Sequence, residues 1–158
     1  MKKNALPCLG ISALIFALDQ LSKYWLSHTM QEGEVIAICP GFNLRLAFNR
    51  GAAFSLLGQS SGWQQWLFGL IALFVSIGII IWLYRTPRHH YVQAIALALI
   101  LGGAVGNLFD RIVHGYVIDF LEIYFKQWYW PAFNIADSAV VVGVILLIGV
   151  NFLKKERA

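Results

Sequence analysis

"WLFGLIALFVSIGIIIWLY", residues 66–84, contains no Asp, Glu, Lys or Arg. A helix crosses the hydrocarbon core of a bilayer with about 20 predominantly apolar residues, because each residue adds about 1.5 Å along the helix axis. This stretch has that length and that composition. It therefore predicts a helix that spans a membrane.

Three further stretches are apolar enough to span a bilayer: residues 6–27, 91–109 and 135–153. Of the 158 residues, 59% are hydrophobic and only 13% are charged, which is wrong for a soluble domain. No low-complexity tract, long linker or fixed-period repeat interrupts the chain. The sequence predicts one integral membrane domain over residues 1–158, an all-α protein with four transmembrane helices.

The N-terminal stretch "MKKNALPCLGISALIFAL" (residues 1–18) also has the basic start and apolar run of a signal peptide. A signal peptide would end in a small-x-small cleavage site, but "DQLSKYW" (residues 19–25) follows the apolar run instead. We therefore interpret this stretch as a retained first span.

The distribution of Lys and Arg predicts the orientation of the chain. These residues cluster at the N-terminus, in the loop "RTPRHH" (residues 85–90) and in the tail "KKERA" (residues 154–158). Four spans place all three segments on one side, so both termini and the loop are expected in the cytoplasm. Two outer segments remain, at about residues 28–65 and 110–134. The net charge of +4 then requires no nucleic-acid partner.

The first outer segment has the pattern of short strands. Apolar and polar residues alternate in "FNLRLAF" (residues 42–48), and "NRG" (residues 49–51) follows as a turn with Gly51 as a turn residue. We predict a small sheet on the outer membrane surface. The aromatic stretch "IYFKQWYWPAF" (residues 123–133) is typical of the membrane–water interface.

The two cysteines do not indicate a disulfide or a metal site. Cys8 is expected near the inner face and Cys39 in the first outer segment, too far apart to be bridged. The sequence has no CxxC motif or Cys/His cluster, so we predict neither a metal nor a cofactor.

Polar residues in and beside the spans gather in the outer third of the predicted membrane. Asp19 and Lys23, four residues apart on one helical face, are interpreted as a structural ion pair. Asp110 beside Arg111 is interpreted as a scaffold pair or as a substrate-positioning group. Asn134, which precedes the fourth span, could be only its N-cap.

Asp119 and Asp137 are harder to explain as structural residues. Neither has a Lys or Arg three or four residues away, and both are expected at the same depth, at the outer ends of adjacent spans. Two carboxylates that face each other in a partly dry site share a proton, because both cannot easily ionise. Such a pair can cleave a peptide bond: the ionised acid takes a proton from water while the protonated acid polarises the scissile carbonyl.

Five motifs together closely resemble the bacterial lipoprotein signal peptidases, also called signal peptidase II. They occur in the order and spacing of that family and, with the four spans, cover nearly the whole chain. Any one of them would be weak evidence, whereas five in order are very specific. The motifs are "DQLSK" (residues 19–23), "NRGAAFS" (residues 49–55), "GNLFDR" (residues 106–111), "VIDF" (residues 117–120) and "FNIADS" (residues 133–138).

The resemblance implies a multi-pass aspartic endopeptidase of the bacterial inner membrane, with its active site near the periplasmic face. We expect a monomer. Its substrates would be prolipoproteins, cleaved on the N-terminal side of a cysteine that carries a diacylglyceryl group, and membrane lipids would be its other partners. The implied fold is four transmembrane helices with both termini cytoplasmic, a small outer β-cradle and an outer helical segment.

The resemblance also assigns roles to residues of this sequence. The catalytic pair falls on Asp119 and Asp137, and Asp19 with Lys23 would hold the bundle at that end. Asp110 would support Arg111. The positions that line the site and hold substrate or orient the pair are Asn49, Gly51, Asn107, Asp110, Arg111 and Asn134.

Two other classes of protein fit the sequence less well. A small ion- or proton-coupled transporter would have polar groups through the full membrane depth, a site near the midplane or broken helices. The second span offers only Ser76 and Gly78 in its interior, and "YVQAIALALI" (residues 91–100) is almost wholly apolar. A structural scaffold would explain the spans but not two unpaired acids on one rim.

Overall fold

The computed structural model describes residues 4–51 and 63–155. Residues 52–55 of the "NRGAAFS" motif lie outside the described residues. So do Lys2, Lys3 and Arg157, on which part of the orientation prediction depends.

Four long helices account for most of the described chain. They are α1 (Leu9–Thr29), which follows a 3-10 turn at Leu6–Cys8, α2 (Trp63–Arg85), α3 (Tyr91–His114) and α4 (Ile135–Lys155). The first three are long and apolar enough to cross a membrane, and α4 contains a shorter apolar segment, Ile135–Val150. The protein is thus mostly helical, with three to four apolar helices.

The outer surface of the helices is apolar, as in a protein whose solvent is lipid. On α2, Trp66, Leu70 and Phe74 are each more than half exposed. Exposed apolar patches of this extent mark contact with a membrane or a partner. Lipid tails around the bundle account for this surface because hydrocarbon solvates these side chains at no cost.

Helix α3 lies at the centre of the bundle and packs closely on α1 and α4. A Cβ at Gly103 would collide with the Ala136 carbonyl oxygen and with the Val140 side chain of α4. A Cβ at Gly106 would lie 2.7 Å from Asp19 Oδ2 of α1. These glycines therefore allow close packing between the helices.

Helix α3 extends further than its apolar run predicts. The predicted span stops at residue 109, before the first charged residue, but the helix continues to His114 and ends at Gly115, which has a φ of 75°. Glycine adopts this left-handed conformation without strain and is common directly after a helix. Asp110 and Arg111 therefore lie in the last turns of α3, although the predicted bounds start the second outer segment at residue 110.

The two outer segments form one antiparallel sheet. Its strands are β1 (Val35–Cys39), β2 (Phe42–Asn49), β3 (Val117–Phe125) and β4 (Trp128–Tyr129), in the order β1-β2-β3-β4. The sheet predicted around "FNLRLAF" is confirmed. The pairing of β2 with β3, which joins the two outer segments, could not be read from either segment alone.

The expected outer helical segment is not found among the described residues. Residues 116–134, between α3 and α4, contain β3 and β4. Residues 52–62 of the other outer segment lie outside the described residues, so the helical segment stays a prediction. Strand β3 reads "VIDFLEIYF", whose β-branched and aromatic residues favour a pleated, half-buried surface, and β2 supplies its partner. The second outer segment thus contributes β3 and β4 to the small sheet that we predicted.

Candidate active site

Asp119 lies on β3 and is only 3% exposed. It pairs with Ala47 across the sheet, which brings Asn49 at the end of β2 close to its carboxylate. Asn49 Nδ2 donates to Asp119 Oδ2 over 3.1 Å, and Asn134 Nδ2 donates to Asp119 Oδ1 over 2.8 Å. Both carboxylate oxygens thus accept an amide hydrogen bond.

Burial raises the pKa of Asp119 from 3.8 to about 7, and the negative charge of Asp137 contributes to the rise. The hydrogen bonds from Asn49 and Asn134 and the positive charge of Lys23 oppose it. Desolvation dominates because a buried carboxylate loses the solvation of its charge. Asp119 can therefore hold or release a proton near neutral pH, as a general acid or base requires.

Asp137 lies in the first turn of α4 and forms a reciprocal cap with Asn134. The Asp137 backbone N–H donates to Asn134 Oδ1 over 2.8 Å, and the Asn134 backbone N–H donates to Asp137 Oδ2 over 3.2 Å. This is the capping-box arrangement, with Asp at the third helical position in place of Glu. The N-cap interpretation of Asn134 is confirmed, and the same cap orients Asp137.

Asn134 also joins the two acids. Its Oδ1 accepts from the backbone of Asp137 while its Nδ2 donates to Asp119 Oδ1. A second amide completes the connection: Asn107 Nδ2 donates to Asp137 Oδ1 over 2.7 Å, and Asn107 Oδ1 accepts from Asn134 Nδ2 over 3.1 Å. The structure therefore brings Asp119, Asp137, Asn49, Asn107 and Asn134 into one hydrogen-bonded group.

Beside this group lies a buried ion cluster. Lys23 Nζ is 2.7 Å from Asp19 Oδ2 and 2.8 Å from Asp110 Oδ2, and all three side chains are almost wholly inaccessible. Lys23 also donates to Asn107 Oδ1 over 3.1 Å. The predicted partner of Asp19 is present, and Asp110 is an additional partner that sequence spacing could not reveal.

Backbone groups connect the ion cluster to the elements that carry the two acids. Asp19 Oδ1 accepts from the Ala136 N–H at the start of α4, over 2.9 Å. Asp110 Oδ2 accepts from the Ile118 N–H of β3, over 3.1 Å. The cluster thus fixes the backbone next to Asp137 and next to Asp119.

Gln20 is a member of this cluster that we did not predict. Its Nε2 donates to Asp110 Oδ1 over 2.9 Å and to Asp19 Oδ2 over 3.2 Å. It lies inside the motif "DQLSK", which was the only signal in the sequence that could have identified it.

Arg111 lies beside the two acids but is not bonded to them. Its Nη1 donates to the carbonyl oxygen of Asn107 over 3.1 Å, and its guanidinium lies 5.7 Å from the centre of the Phe68 ring. The buried Nε has no hydrogen-bond partner among the described residues. We expected Asp110 to support Arg111, but no direct contact joins the two side chains in the described part of the chain. Asp110 instead contacts Lys23, Gln20 and the backbone of β3.

Gly51 shapes the site through its backbone. Its N–H donates to Asn49 Oδ1 over 2.9 Å, closing the turn expected after β2. Because Oδ1 is occupied in this way, Nδ2 of the same amide faces Asp119.

Glu122 is a second buried acid that we did not single out. Its side chain is 2% exposed, accepts from Asn43 Nδ2 over 3.0 Å and forms an ion pair with Arg45 Nη1 at 2.8 Å. These contacts satisfy the carboxylate within the sheet. Across residues 4–51 and 63–155, no group of three or more His, Cys, Asp or Glu side chains is arranged to hold a metal ion.

The arrangement can perform acid–base chemistry. Asp119 and Asp137 interact electrostatically, are linked through one asparagine and lie where the sheet meets the helix bundle. Residues 11–153 match the protein family described as "Signal peptidase (SPase) II". The chain belongs to the signal peptidase II family.

Relatives in this family are similar along nearly their whole length. A protein named lipoprotein signal peptidase from Alteromonas mediterranea is 51% identical over 147 residues, which are 93% of this chain and 81% of the relative. Another with that name from Pseudomonas aeruginosa is 50% identical over 153 residues, which are 96% of this chain and 90% of the relative. The resemblance inferred from the five motifs is confirmed.

The fold is likewise similar to that of known structures. A bacterial membrane enzyme solved by the in meso method at 2.3 Å resolution superposes with a TM-score of 0.85 and 30% identity, over 99% of this chain and 94% of that chain. A second, solved in the same way at 1.9 Å, has a TM-score of 0.82 and 29% identity, over 95% of this chain and 96% of that chain. The chain is therefore a bacterial membrane peptidase of the signal peptidase II family.

Proposed function

We propose that this signal peptidase is an aspartic endopeptidase that removes signal peptides from prolipoproteins by cleaving before a diacylglyceryl-modified cysteine. The observation that carries the proposal is the linkage of Asp119 and Asp137 through Asn134. An asparagine that donates to one acid and caps the helix of the other holds both carboxylates in one place. Signal peptidase II relatives named for lipoproteins supply the substrate class.

Asp119 holds the shared proton and Asp137 is the ionised base. Asp137 lies in the first turn of α4, where the partial positive charge of the helix N-terminus stabilises a negative charge. Asn107 Nδ2 and the Asn134 N–H also donate to it. Asp119 lies on a strand without such a dipole, and its pKa is raised to about 7.

The reaction returns both acids to their starting states. Asp137 takes a proton from water as the water oxygen attacks the scissile carbonyl carbon, and Asp119 gives its proton to the carbonyl oxygen. When the tetrahedral intermediate collapses, Asp137 gives its proton to the leaving amine of the cysteine and Asp119 recovers a proton from the gem-diol. Asn49 and Arg111, beside the acids, hold the substrate near the modified cysteine.

The whole chain of 158 residues acts as one monomeric domain in the bacterial inner membrane. Four spans place both termini in the cytoplasm and the sheet on the periplasmic side. The candidate site lies where α3 ends and α4 begins, which is the outer end of the bundle in this topology. The lipid on the substrate cysteine holds that residue at the boundary between acyl chains and headgroups. The scissile bond is thereby brought to the height of Asp119 and Asp137.

To test this, the purified protein is incubated in detergent with one prolipoprotein in two forms, with and without the diacylglyceryl group. The released signal peptide is then measured by mass spectrometry. The lipidated form should be cut at least about 100-fold faster, because positioning can supply several kcal/mol of the barrier. Equal cleavage rates would contradict the proposal that the lipid positions the substrate.

The catalytic pair is tested on the same substrate. Asp119→Asn and Asp137→Asn should each lower kcat by about 1,000-fold or more, since an amide can neither take nor give the required proton. Glu122→Gln is the matched control, because Glu122 is an equally buried acid of the same strand as Asp119 that contacts only sheet residues. Near wild-type turnover in either aspartate variant would overturn the aspartic mechanism.

A further inference from the structure

Lys23 makes more contacts than charge neutralisation requires. Its ammonium group is 1% exposed and contacts three oxygens: Asp19 Oδ2, Asp110 Oδ2 and Asn107 Oδ1. An ammonium has three N–H donors and no acceptor. The two carboxylates account for two donors, and the third goes to the neutral amide that holds Asp137.

That third contact determines which way the Asn107 amide faces. The two ends of an amide have almost the same shape, so hydrogen-bond partners decide its orientation. Lys23 can only donate, so Oδ1 must face it, and Nδ2 then faces Asp137 Oδ1 at 2.7 Å. The flipped amide would place an NH2 group against the ammonium and a carbonyl oxygen against the carboxylate, two repulsive contacts.

Asn134 does not replace Lys23 in this role. Its Nδ2 lies within hydrogen-bond distance of three acceptors: Asp119 Oδ1 at 2.8 Å, Asn107 Oδ1 at 3.1 Å and the Ile118 carbonyl oxygen at 3.3 Å. An amide nitrogen has two hydrogens for these three acceptors. Lys23 donates two of its protons to Asp19 and Asp110, and Asn107 Oδ1 is the one further acceptor described for the third. Lys23 is therefore the donor that fixes the Asn107 amide.

We propose that Lys23 is a positioning residue for catalysis, which acts through Asn107 to keep an amide donor on Asp137. The proposal rests on the assignment of Asp137 as the catalytic base. Removing the ammonium frees the Asn107 amide to turn, and Asp137 loses a donor that orients its carboxylate towards the attacking water. Because Lys23 is buried and cannot reach the substrate, kcat should change and KM should not.

The experiment is a double-mutant cycle on kcat, with KM measured in parallel, using full-length folded protein and the diacylglyceryl-modified substrate. Lys23→Met should lower kcat by about 10- to 100-fold while KM stays within about twofold of wild type. Asn107→Ser should lower kcat similarly. In the Asn107→Ser background, Lys23→Met should lower kcat no further, since the amide through which it acts is already gone.

The matched control is Gln20→Ala, which loosens the same ion cluster at Asp19 and Asp110 without a described contact to Asn107. It should lower the melting temperature but leave kcat close to wild type. If Lys23 served only to hold the bundle together, Lys23→Met and Gln20→Ala would behave alike. Losses of kcat that multiply in the double variant would overturn the proposal.

A variant in which Lys23 and Asp19 both lose their charge allows the test even if Lys23→Met alone does not fold. If Lys23→Met does not yield folded protein, Lys23→Met/Asp19→Asn is compared with Asp19→Asn, with and without Asn107→Ser, and the same non-additivity in kcat is expected.

The proposed aspartic mechanism and the proposed role of Lys23 can be overturned separately. Active Asp137→Asn protein would overturn the aspartic mechanism itself, whereas inactive Asp137→Asn protein with unchanged kcat in the lysine variant would overturn only the role of Lys23.

Discussion

Asp119 and Asp137 have the same side chain but different surroundings. Asp119 is held on a strand by two asparagine amides, and Asp137 lies at a helix N-terminus with one amide and one backbone donor. In the proposed mechanism, the helix N-terminus at Asp137 leaves the shared proton on Asp119. The difference in surroundings also makes the ionisation of Asp119 part of the folding equilibrium.

The stability of the protein should fall as Asp119 ionises. Its pKa is about 7 in the folded protein against 3.8 as the ordinary value, so the folded state binds the proton more tightly. This contribution to the free energy of unfolding is fully present below about pH 4 and is lost as the pH rises through about 7. The rise in pKa corresponds to about 4 kcal/mol. Thermal unfolding of wild type and Asp119→Asn between about pH 5 and about pH 8 tests this pH dependence of stability, since the variant lacks the titrating group.

Relative to the variant, wild type should be more stable at the acidic end of that range. For the same reason its kcat should decline above about pH 7, where Asp119 loses the proton that it gives to the carbonyl. A difference in melting temperature between the two proteins that does not vary with pH would contradict this prediction.

The residue that caps helix α4 also contacts a candidate catalytic acid. Asn134 caps the helix with Oδ1 and contacts Asp119 with Nδ2, so one side chain has two separable functions. Close packing on α3, through Gly103, fixes the position of the same first turn.

Substitution of Asn134 should separate these functions. Asn134→Ser keeps an N-cap acceptor but loses the donor to Asp119, so its stability should stay near wild type while kcat falls. Asn134→Ala loses both and should also be less stable by about 1 kcal/mol. Thermal unfolding and turnover of the two variants provide the measurement. Full activity in Asn134→Ser would show that the contact with Asp119 is dispensable.

Packing of α3 against α4 should be equally sensitive. Gly103→Ala places a methyl group against the Ala136 carbonyl oxygen and Val140, so it should cost about 1–3 kcal/mol and reduce activity by displacing Asp137. Gly149→Ala is the control, because that α4 position has no atom within 4 Å of the added Cβ. Melting temperatures and kcat of both variants test this. Equal behaviour of the two would contradict close packing at Gly103.

For the molecule as a whole, the proposed topology places the sheet and the catalytic pair outside and the loop after α2 inside. The exposed native Cys39 ends β1 and provides a reporter for the outer side. A membrane-impermeant maleimide applied to intact spheroplasts should label it. His89→Cys in a Cys39→Ser background should react only after lysis. Labelling of residue 89 from outside would invert the topology and place the candidate site on the cytoplasmic face.

Local sequence patterns were sufficient for most of the helical architecture. The apolar runs predicted four helices. The longest difference is at α3, which continues past Asp110 and Arg111 to His114. Hydropathy ends a predicted span at a charged residue, whereas a helix ends where its backbone is interrupted. Residues 117–125 form a strand because their strand propensity is realised by pairing with β2. The outer helical segment stays a prediction, since residues 52–62 lie outside the described residues.

By itself, the sequence determined the apolar helices, the strand around residues 42–48, the two candidate acids and the family, since these follow from composition, periodicity and motifs that are local in the chain. Only the tertiary structure decided which polar groups meet. Lys23 reaches Asp110 and Asn107, and Asn134 reaches Asp119, across helices and strands that are distant in sequence. Such contacts depend on helix packing and strand register, and buried polar groups must find partners wherever that packing places them.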